Sequence, residues 1–283
     1  MEIKKVGIVG AGIMGSSIAQ FCAQYGYEVV VSDISDVILE KCLASIQKTF
    51  ARLVKQGKIV EQDKEVMLRR ITTTKGLGAF QDCDLVIEAV TENMKLKKKV
   101  FTELDEICPK HCILLSNTSC LSITDIAMST HRPDKVMGMH FFNPVSIMQL
   151  LEVIRTIVTS EDTVNTAKDF GKSLGKTIIV VNDTPGFIVT RLLIPFVLDA
   201  IRLVEAGIAT PEDIDKAITL GLNHPMGPLT LADFSGLDTL LEIAEEVYNE
   251  SKNPQFIPPV LLRKMVTAGR LGRKAGKGFF NYT

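Results

Sequence analysis

The stretch Val6-Gly7-Ile8-Val9-Gly10-Ala11-Gly12-Ile13-Met14-Gly15 lies near the start of the chain and decides its fold. An apolar run of strand character leads into three glycines in the pattern GxGxxG, and a segment of helical character begins near Ile13. Glycines also mark ordinary turns, so the assignment depends on this place between a strand and a helix. In that context the pattern predicts the glycine-rich turn of a dinucleotide-binding βαβ unit.

The three glycines have separate roles in such a turn. Gly10 permits the tight turn, Gly12 lets the backbone approach a pyrophosphate, and Gly15 lets the helix pack closely on the strand. The N-terminus of the helix then presents free amides to the anion. The predicted cofactor-binding residues of this stretch are Gly10, Gly12, Ile13, Met14 and Gly15.

The end of the second predicted strand carries the residue that selects between NAD and NADP. Val29-Val30-Val31 leads to Asp33, 23 positions after Gly10. A carboxylate there accepts hydrogen bonds from the adenosine ribose and repels a 2′-phosphate, and no arginine follows at position 34 or 35. Asp33 therefore favours NAD as the cofactor. The alternative is that Asp33 only caps the following helix.

The order of the elements predicts an α/β fold, in which a Rossmann-like doubly wound sheet is followed by an all-α C-terminal domain. Strands are expected near residues 3–9, 28–32, 85–88, 113–116, 136–140, 149–154 and 177–181. After Asp183-Thr184-Pro185-Gly186 the pattern changes to helical periods, near residues 187–205, 211–220, 228–249 and 258–268. We predict an NAD-binding domain over residues 1–183 and a helical domain over residues 184–283 that serves substrate binding and dimerisation.

The composition argues against several classes of protein. With 283 residues, 46% of them hydrophobic, and a net charge of −1, the chain has no overall basic field for nucleic acid or an anionic membrane. Six scattered cysteines without a CxxC pair predict reduced thiols and a cytoplasmic location. No apolar run approaches the ~20 residues of a membrane span. No metal site is predicted, since Cys108, His111 and Cys112 are better explained as residues that lead into a strand.

The stretch Gly138-Met139-His140-Phe141-Phe142-Asn143-Pro144 contains the strongest candidate for catalysis. His140 ends a predicted strand at the carboxyl edge of the sheet, where ligands of such sheets bind. Glu152 follows in an apolar run whose alternation buries it, and a buried carboxylate needs a partner. A histidine oriented by a carboxylate is the arrangement of a general base, but an unrelated buried salt bridge would leave the same pattern. The weaker candidates, in polar connections or a turn, are His111, His131 and His224.

The segment Ser116-Asn117-Thr118-Ser119-Cys120 directly follows the fourth predicted strand. A hydroxyl at this edge can donate a hydrogen bond to a substrate oxygen beside a nicotinamide. The alternative is that Ser119 or Thr118 caps a helix that starts near Ser122.

With these motifs the sequence resembles the 3-hydroxyacyl-CoA dehydrogenase family, most of all its short bacterial 3-hydroxybutyryl-CoA dehydrogenases. The resemblance covers nearly the whole chain, and so many ordered motifs at the family's spacing make it specific. The motifs that carry it are GAGIMG at 10–15, DLVIEAVTEN at 84–93, SNTSC at 116–120, GMHFFNP at 138–144, LLEVI at 150–154, PGFIVTRLLIP at 185–195, NHPMGP at 223–228 and GRKAGKGFF at 272–280.

The resemblance implies reversible oxidation of an (S)-3-hydroxyacyl-CoA to a 3-ketoacyl-CoA with NAD, in fatty acid metabolism, by a homodimer. It makes His140 the acid/base, oriented by Glu152, and Ser119 a hydrogen-bond partner of the substrate oxygen. The further cofactor-binding residues that it implies are Glu92, Lys97, Ser119, Asn143 beside the nicotinamide, and Lys274.

One position departs from the family. Within PGFIVTRLLIP the family usually carries an asparagine, counted with the catalytic set, where this chain has Thr190. Threonine offers one hydroxyl in place of an amide donor and acceptor. We expect the hydroxyl to substitute in part, directly or through water, with an effect on efficiency or substrate choice.

A set of cations follows at spacings of 7, 4 and 3 residues, along one face of a predicted helix: Lys41, Lys48, Arg52 and Lys55. With the resemblance, Lys48, Arg52 and Lys55 are predicted to bind the CoA 3′-phosphate, whereas a solvated helix face is the alternative. Two rival functions stay open at this point. One is an NAD(P)-dependent dehydrogenase of a small 3-hydroxy acid without CoA, and the other is a catalytically weak NAD-binding relative.

Overall fold

The computed structural model describes residues 2–282, within which eight strands form a single sheet. The strands are β1 (Lys5–Val9), β2 (Glu28–Ser32), β3 (Ile71–Thr74), β4 (Leu85–Glu88), β5 (Ile113–Ser116), β6 (Val136–Phe141), β7 (Leu150–Arg155) and β8 (Thr177–Asn182). They lie in the order β3-β2-β1-β4-β5-β6-β7-β8, and every neighbouring pair is parallel except β6 with β7. The predicted Rossmann-like sheet is confirmed.

The order of the strands places the chemistry. Strands β2 and β3 lie on one side of β1 in the sheet, and β4 to β8 lie on the other side. The direction in which successive strands are added therefore reverses at β1. The crevice at the carboxyl ends of β1 and β4 is therefore the switch point at which such sheets bind ligands. Strand β3 was not predicted, because Ile71 is its one apolar residue, and its pairing with β2 at the sheet edge defines it.

Six helices flank this sheet: α1 (Ile13–Gln24), α2 (Asp36–Lys55), α3 (Glu61–Arg69), α4 (Met94–Ile107), α5 (Ile123–Ala127) and α6 (Glu161–Ser173). Short polar residues start several of them, as expected for N-caps. The Ser35 hydroxyl accepts from the backbone N–H of Ile38 before α2, and the Asn93 carbonyl oxygen accepts from that of Leu96 before α4. The apolar faces of α1, α2 and α6 pack on the sheet in one core with β1, β2, β4 and β7.

The last third of the chain is helical, as predicted. Its helices are α7 (Val189–Glu205), α8 (Pro211–Gly221), α9 (Pro228–Ser235), α10 (Leu237–Ser251) and α11 (Val260–Thr267). The single helix expected over residues 228–249 is wrong, since Gly236 adopts φ +97° and separates α9 from α10. The Asp233 carboxylate at the end of α9 is fully buried and accepts hydrogen bonds from the backbone N–H groups of Phe279 and Phe280, which ties the C-terminal segment to this unit.

The chain divides into two compact units. One comprises the chain up to Thr118 together with Ser122–Asp183, and the other comprises Ser119–Leu121 together with the chain from Thr184 onward. Within the described residues, no helix has both the length and the apolar character that a membrane crossing requires.

Candidate active site

The glycine-rich turn after β1 has the geometry that its glycines predict. Gly10 adopts φ +98°, and a Cβ atom on it would lie 2.6 Å from the carbonyl oxygen of Ala89. A Cβ atom on Gly15 would lie 1.8 Å from the carbonyl oxygen of Gly10, so only glycine lets α1 pass this close to the turn. The turn therefore depends on both residues for its shape.

The N-terminus of α1 offers a place for an anion. Gly12 is the N-cap and supplies no side-chain cap, and the first turn of the helix carries no acidic residue. Apart from its own neighbours in the chain, no described atom lies within 4 Å of the Cβ position that a side chain on Gly12 would occupy, and Ile13 is largely exposed. The backbone amides and the positive end of the helix dipole thus face open space, which fits a pyrophosphate.

Asp33 lies at the carboxyl end of β2 and contacts the same turn. One of its carboxylate oxygens accepts a hydrogen bond from the backbone N–H of Ala11 at 2.9 Å, and the other accepts from that of Ser35 at 3.2 Å. The alternative that Asp33 caps α2 is wrong, because the cap is the hydroxyl of Ser35. Asp33 therefore stands next to the glycine-rich turn, the position from which a carboxylate can reach the ribose of a dinucleotide.

His140 and Glu152 are direct cross-strand neighbours. The antiparallel register of β6 and β7 pairs the two residues, and Nδ1 of His140 lies 2.8 Å from Oε2 of Glu152. The side chains are 6% and 1% exposed, so the contact is shielded from water. A buried carboxylate in this position fixes the orientation of the imidazole ring, the arrangement that a general base requires.

The neighbours of His140 hold the end of β6 in place. The Phe142 ring packs on the imidazole with ring centroids 4.5 Å apart. The Asn117 side-chain oxygen accepts a hydrogen bond from the backbone N–H of Phe141 at 2.9 Å, which ties the end of β5 to the end of β6. Asn143, the predicted neighbour of the nicotinamide, is exposed in the loop that follows. Asn117 was missed in the sequence, although its place between two strand ends was visible in SNTSC.

A buried ionic cluster lies where β4 and β5 end, and it includes two predicted cofactor residues. The ammonium of Lys97 is 2.7 Å from Glu88 and 3.3 Å from Glu92. Burial raises the pKa of the Glu88 carboxyl, although Lys97 and the Ser116 hydroxyl oppose the shift. Burial acts to lower the pKa of Lys97, but the attraction of Glu88 and Glu92 outweighs it and the pKa is raised. Lys97 is thus held as a cation.

Ser119 belongs to the three-residue segment that groups with the helical unit. The alternative that Ser119 or Thr118 caps the next helix is wrong, since Ser122 is the N-cap of α5 and its hydroxyl accepts from the backbone N–H of Asp125. The Thr118 hydroxyl instead donates to the Glu92 carboxylate at 2.9 Å. Ser119 is therefore not needed as a helix cap.

The helical unit holds the two remaining predicted residues. Thr190 lies in the first turn of α7, is 8% exposed, and lines a small cavity of about 90 Å³. The other walls of this cavity are mostly apolar and come from α7, α9 and α10. Lys274 forms an ion pair of 2.6 Å with Asp238 and is about half exposed.

The predicted phosphate-binding cations lie on the exposed face of α2. Lys48, Arg52 and Lys55 are all exposed, and in the part of the chain that the structure describes none of them forms an ion pair. A groove of about 360 Å³ runs between α1 and α2, and Lys41, among its lining residues, continues the same face. The face is thus an uncompensated positive surface beside a groove.

Comparison with known proteins gives consistent results over the whole chain. Two sequence-family models match the chain. The family described as "3-hydroxyacyl-CoA dehydrogenase, NAD binding domain" matches residues 5–184, and the family described as "3-hydroxyacyl-CoA dehydrogenase, C-terminal domain" matches residues 186–282. The chain is 47% identical to a probable 3-hydroxybutyryl-CoA dehydrogenase of Bacillus subtilis, over 100% of this chain and 98% of the relative. It is 45% identical to a 3-hydroxybutyryl-CoA dehydrogenase of Mycobacterium tuberculosis, over 99% of both chains. The crystal structure of (S)-3-hydroxybutyryl-CoA dehydrogenase from Ralstonia eutropha is similar with a TM-score of 0.95 and 46% identity, over 100% of both chains.

Proposed function

Because the chain belongs to the 3-hydroxyacyl-CoA dehydrogenase family, we propose that it interconverts (S)-3-hydroxybutyryl-CoA and acetoacetyl-CoA with NAD, using His140 as the acid/base. The observation that carries the proposal is the buried His140–Glu152 contact at the carboxyl edge of a dinucleotide-binding sheet. The substrate is taken from relatives that align over essentially their full length.

His140 performs the proton transfer. In oxidation its imidazole accepts the proton of the substrate's 3-hydroxyl group, and in reduction the imidazolium returns a proton to the ketone oxygen. A positioned acid/base of this kind contributes ~10²–10⁴ in rate. Glu152 keeps the ring oriented and offsets the positive charge that the ring gains.

The cofactor site lies around the turn after β1. Gly12 and the free amides of α1 would hold the pyrophosphate, Asp33 the ribose, and Asn143 the nicotinamide end. Bound NAD supplies the acceptor for the hydride that leaves C3 of the substrate. Lys97 and Glu92 form an ion pair with each other. We therefore propose that they stabilise the cofactor site in addition to contacting the cofactor.

Ser119 and Thr190 are proposed to contact the substrate. A hydroxyl donor from Ser119 would stabilise negative charge that develops on the substrate oxygen, a role for which removal of a donor typically costs ~10²–10³ in rate. The Thr190 hydroxyl lies among apolar neighbours, where a hydrogen bond to the substrate is strengthened by the exclusion of water.

The exposed face of α2 is proposed to bind the CoA arm. Lys48, Arg52 and Lys55 present three positive charges without carboxylate partners, and a 3′-phosphate would offset most of that charge. The double change Lys48→Glu and Lys55→Glu should raise KM for acetoacetyl-CoA at least tenfold and leave KM for NADH unchanged. An unchanged KM for the thioester would mean that the CoA arm binds elsewhere.

We also propose a homodimer in the cytoplasm. The helical unit exposes large apolar side chains that a second copy would cover: Leu192, Ile208, Leu220, Leu222, Phe234 and Val260. All six cysteines are unpaired, which supports a reducing compartment. Light scattering during gel filtration should give twice the chain mass, whereas a monomer at micromolar concentration would overturn the dimer.

The first experiment is an assay of NADH oxidation with acetoacetyl-CoA, run beside free acetoacetate. Turnover on the thioester alone, lost in His140→Ala and retained in His111→Ala, is the expected result, since His111 is exposed and paired with Asp84. Activity on the free acid would replace the proposal with a dehydrogenase of small 3-hydroxy acids. NADH binding without turnover on any 3-ketoacyl-CoA would identify a catalytically weak relative.

A further inference from the structure

Lys176 lies directly before β8, and its side chain is buried without an acidic partner in the described part of the chain. Its ammonium donates to the backbone carbonyl oxygens of Val145 and, at 2.7 Å, Met148. The same ammonium lies 4.1 Å from the centre of the Phe21 ring on α1. Burial lowers the pKa of Lys176. A buried lysine usually pairs with a carboxylate, so a lysine held only by carbonyl groups and a ring calls for an explanation.

The two carbonyl groups belong to the loop of residues 142–149, which connects β6 with β7. The loop is closed locally by hydrogen bonds from the backbone N–H groups of Ile147 and Met148 to the carbonyl oxygen of Pro144, 3.0 Å each. Val145 is buried in the core, but Ile147 is 70% exposed and Met148 40% exposed. Few apolar contacts therefore hold the distal half of the loop. Two polar contacts connect it to the body of the domain: the backbone N–H of Thr177 donates to the carbonyl oxygen of Gln149 at 2.8 Å, and the ammonium of Lys176 is the side-chain donor.

This loop carries the residues next to the reacting centre. Phe142 packs on the His140 ring, and Asn143 is the proposed neighbour of the nicotinamide. By contrast, the backbone positions of His140 and Glu152 are fixed by the register of β6 and β7, and the Nδ1–Oε2 contact orients the imidazole. A change in the loop should thus move the nicotinamide contact and leave the proton-transfer pair in place.

We propose that Lys176 is a positioning residue that fixes the 142–149 loop, and through it Asn143, for hydride transfer. The predicted effect on hydride transfer rests on the proposed function. The predicted role of Lys176 in fixing the loop does not. The ammonium satisfies two carbonyl groups at once, and its contact with Phe21 ties the loop to α1, the helix that begins at the phosphate-binding turn. The turn proposed to bind the pyrophosphate and the loop proposed to contact the nicotinamide are thereby held in a fixed relative position.

The change Lys176→Met tests the proposal, because methionine keeps most of the apolar stem and removes the donor. Misplacement of a reacting group by about 1 Å can cost ~10²-fold in rate, so we expect kcat to fall between about 10- and 100-fold. The deuterium isotope effect on kcat, measured with NADH deuterated at the transferred position, should rise because hydride transfer becomes slower. The pH–rate profile and KM for acetoacetyl-CoA should stay within experimental error.

Lys172→Met is the matched control, since Lys172 lies four residues earlier with its side chain 61% exposed. Lys176→Arg keeps the charge and several donors and should recover most of the rate. If Lys176→Met does not fold, Lys176→Gln replaces it, and the comparison with Lys176→Arg is kept. A wild-type kcat and isotope effect in the folded variant, or a changed pH profile, would overturn the proposal.

Hydrogen exchange of the free protein separates this inference from the proposed function. Amides of residues 145–148 should exchange at least tenfold faster in Lys176→Met than in the wild type or in Lys172→Met, with no substrate present. Equal exchange would overturn the role of Lys176 in fixing the loop. An inactive wild-type protein would instead overturn the proposed function and leave the exchange result valid.

Discussion

Replacement of Glu152 by glutamine is the most direct test of the proton-transfer pair. The change keeps the size and shape of the side chain and removes its charge. Glu152 is almost fully buried and its Oε2 lies 2.8 Å from Nδ1 of His140, so water does not screen the contact. The amide can still occupy the same space, and the fold of β6 and β7 should be retained.

The size of the effect follows from the electrostatics of the contact. Charge centres about 4 Å apart attract each other by about 4 kcal/mol at an effective dielectric constant of 20. Since 1.36 kcal/mol corresponds to a factor of ten, loss of this attraction should lower the rate about 10³-fold. Loss of the correct tautomer acts in the same direction, and the equivalent change in a serine protease triad costs about 10⁴.

The assay is kcat for NADH oxidation with saturating acetoacetyl-CoA between pH 5 and 9. Glu152→Gln should lose most of its activity throughout this range, because the imidazole loses both its orienting partner and the opposite charge. Glu161→Gln is the control, because this exposed carboxylate pairs with Arg155 at 2.5 Å and should change kcat less than twofold. If Glu152→Gln stayed within threefold of the wild type at every pH, the pair would be an ordinary buried salt bridge.

Three further predictions concern other parts of the site. Thr190→Ala should lower kcat about tenfold with little change in KM for NADH, and an unchanged turnover would exclude Thr190 from catalysis. Lys97→Met should destabilise the fold by about 3–5 kcal/mol, because it leaves buried Glu88 uncompensated. Burial already raises the pKa of the Glu88 carboxyl from its ordinary value of 4.5, so Glu88 binds a proton more tightly in the folded variant than in the unfolded chain. The denaturation midpoint of the variant should therefore fall as pH rises above 4.5. Because reduction consumes a proton that His140 delivers, its optimum should lie at lower pH than that of oxidation, and coincident profiles would count against His140.

The cofactor turn could be predicted from the sequence because its physics is local. Gly10 and Gly15 are required by the shape of a six-residue turn, Gly12 leaves room for a ligand, and the flanking strand and helix are evident from their own periodicity. Asp33 was found in the same way, since the end of a strand fixes its place. The position of His140 near the end of β6 was likewise predicted from strand length alone.

The pairing of His140 with Glu152 could not be derived from the pattern of apolar residues. Alternation buries Glu152 in either strand direction, but only the antiparallel course of β7 in this register brings it opposite His140. Strand direction depends on how the whole sheet is assembled, so local sequence left a catalytic pair and an unrelated salt bridge equally open.

The sequence by itself determined the family, the strand–turn–helix of the cofactor site and the residue types at the sheet edge, because those features depend on neighbours in the chain. Only the tertiary structure decided what the charged residues do. Lys97 was predicted from the resemblance to lie along the cofactor, and Lys176 lies in a short polar connection, yet both side chains are buried. Their partners, Glu88 for one and the carbonyl groups of the 142–149 loop for the other, are 9 to about 30 residues away and meet them only when the sheet forms. Burial and electrostatic pairing depend on distance in space, which a linear pattern does not contain.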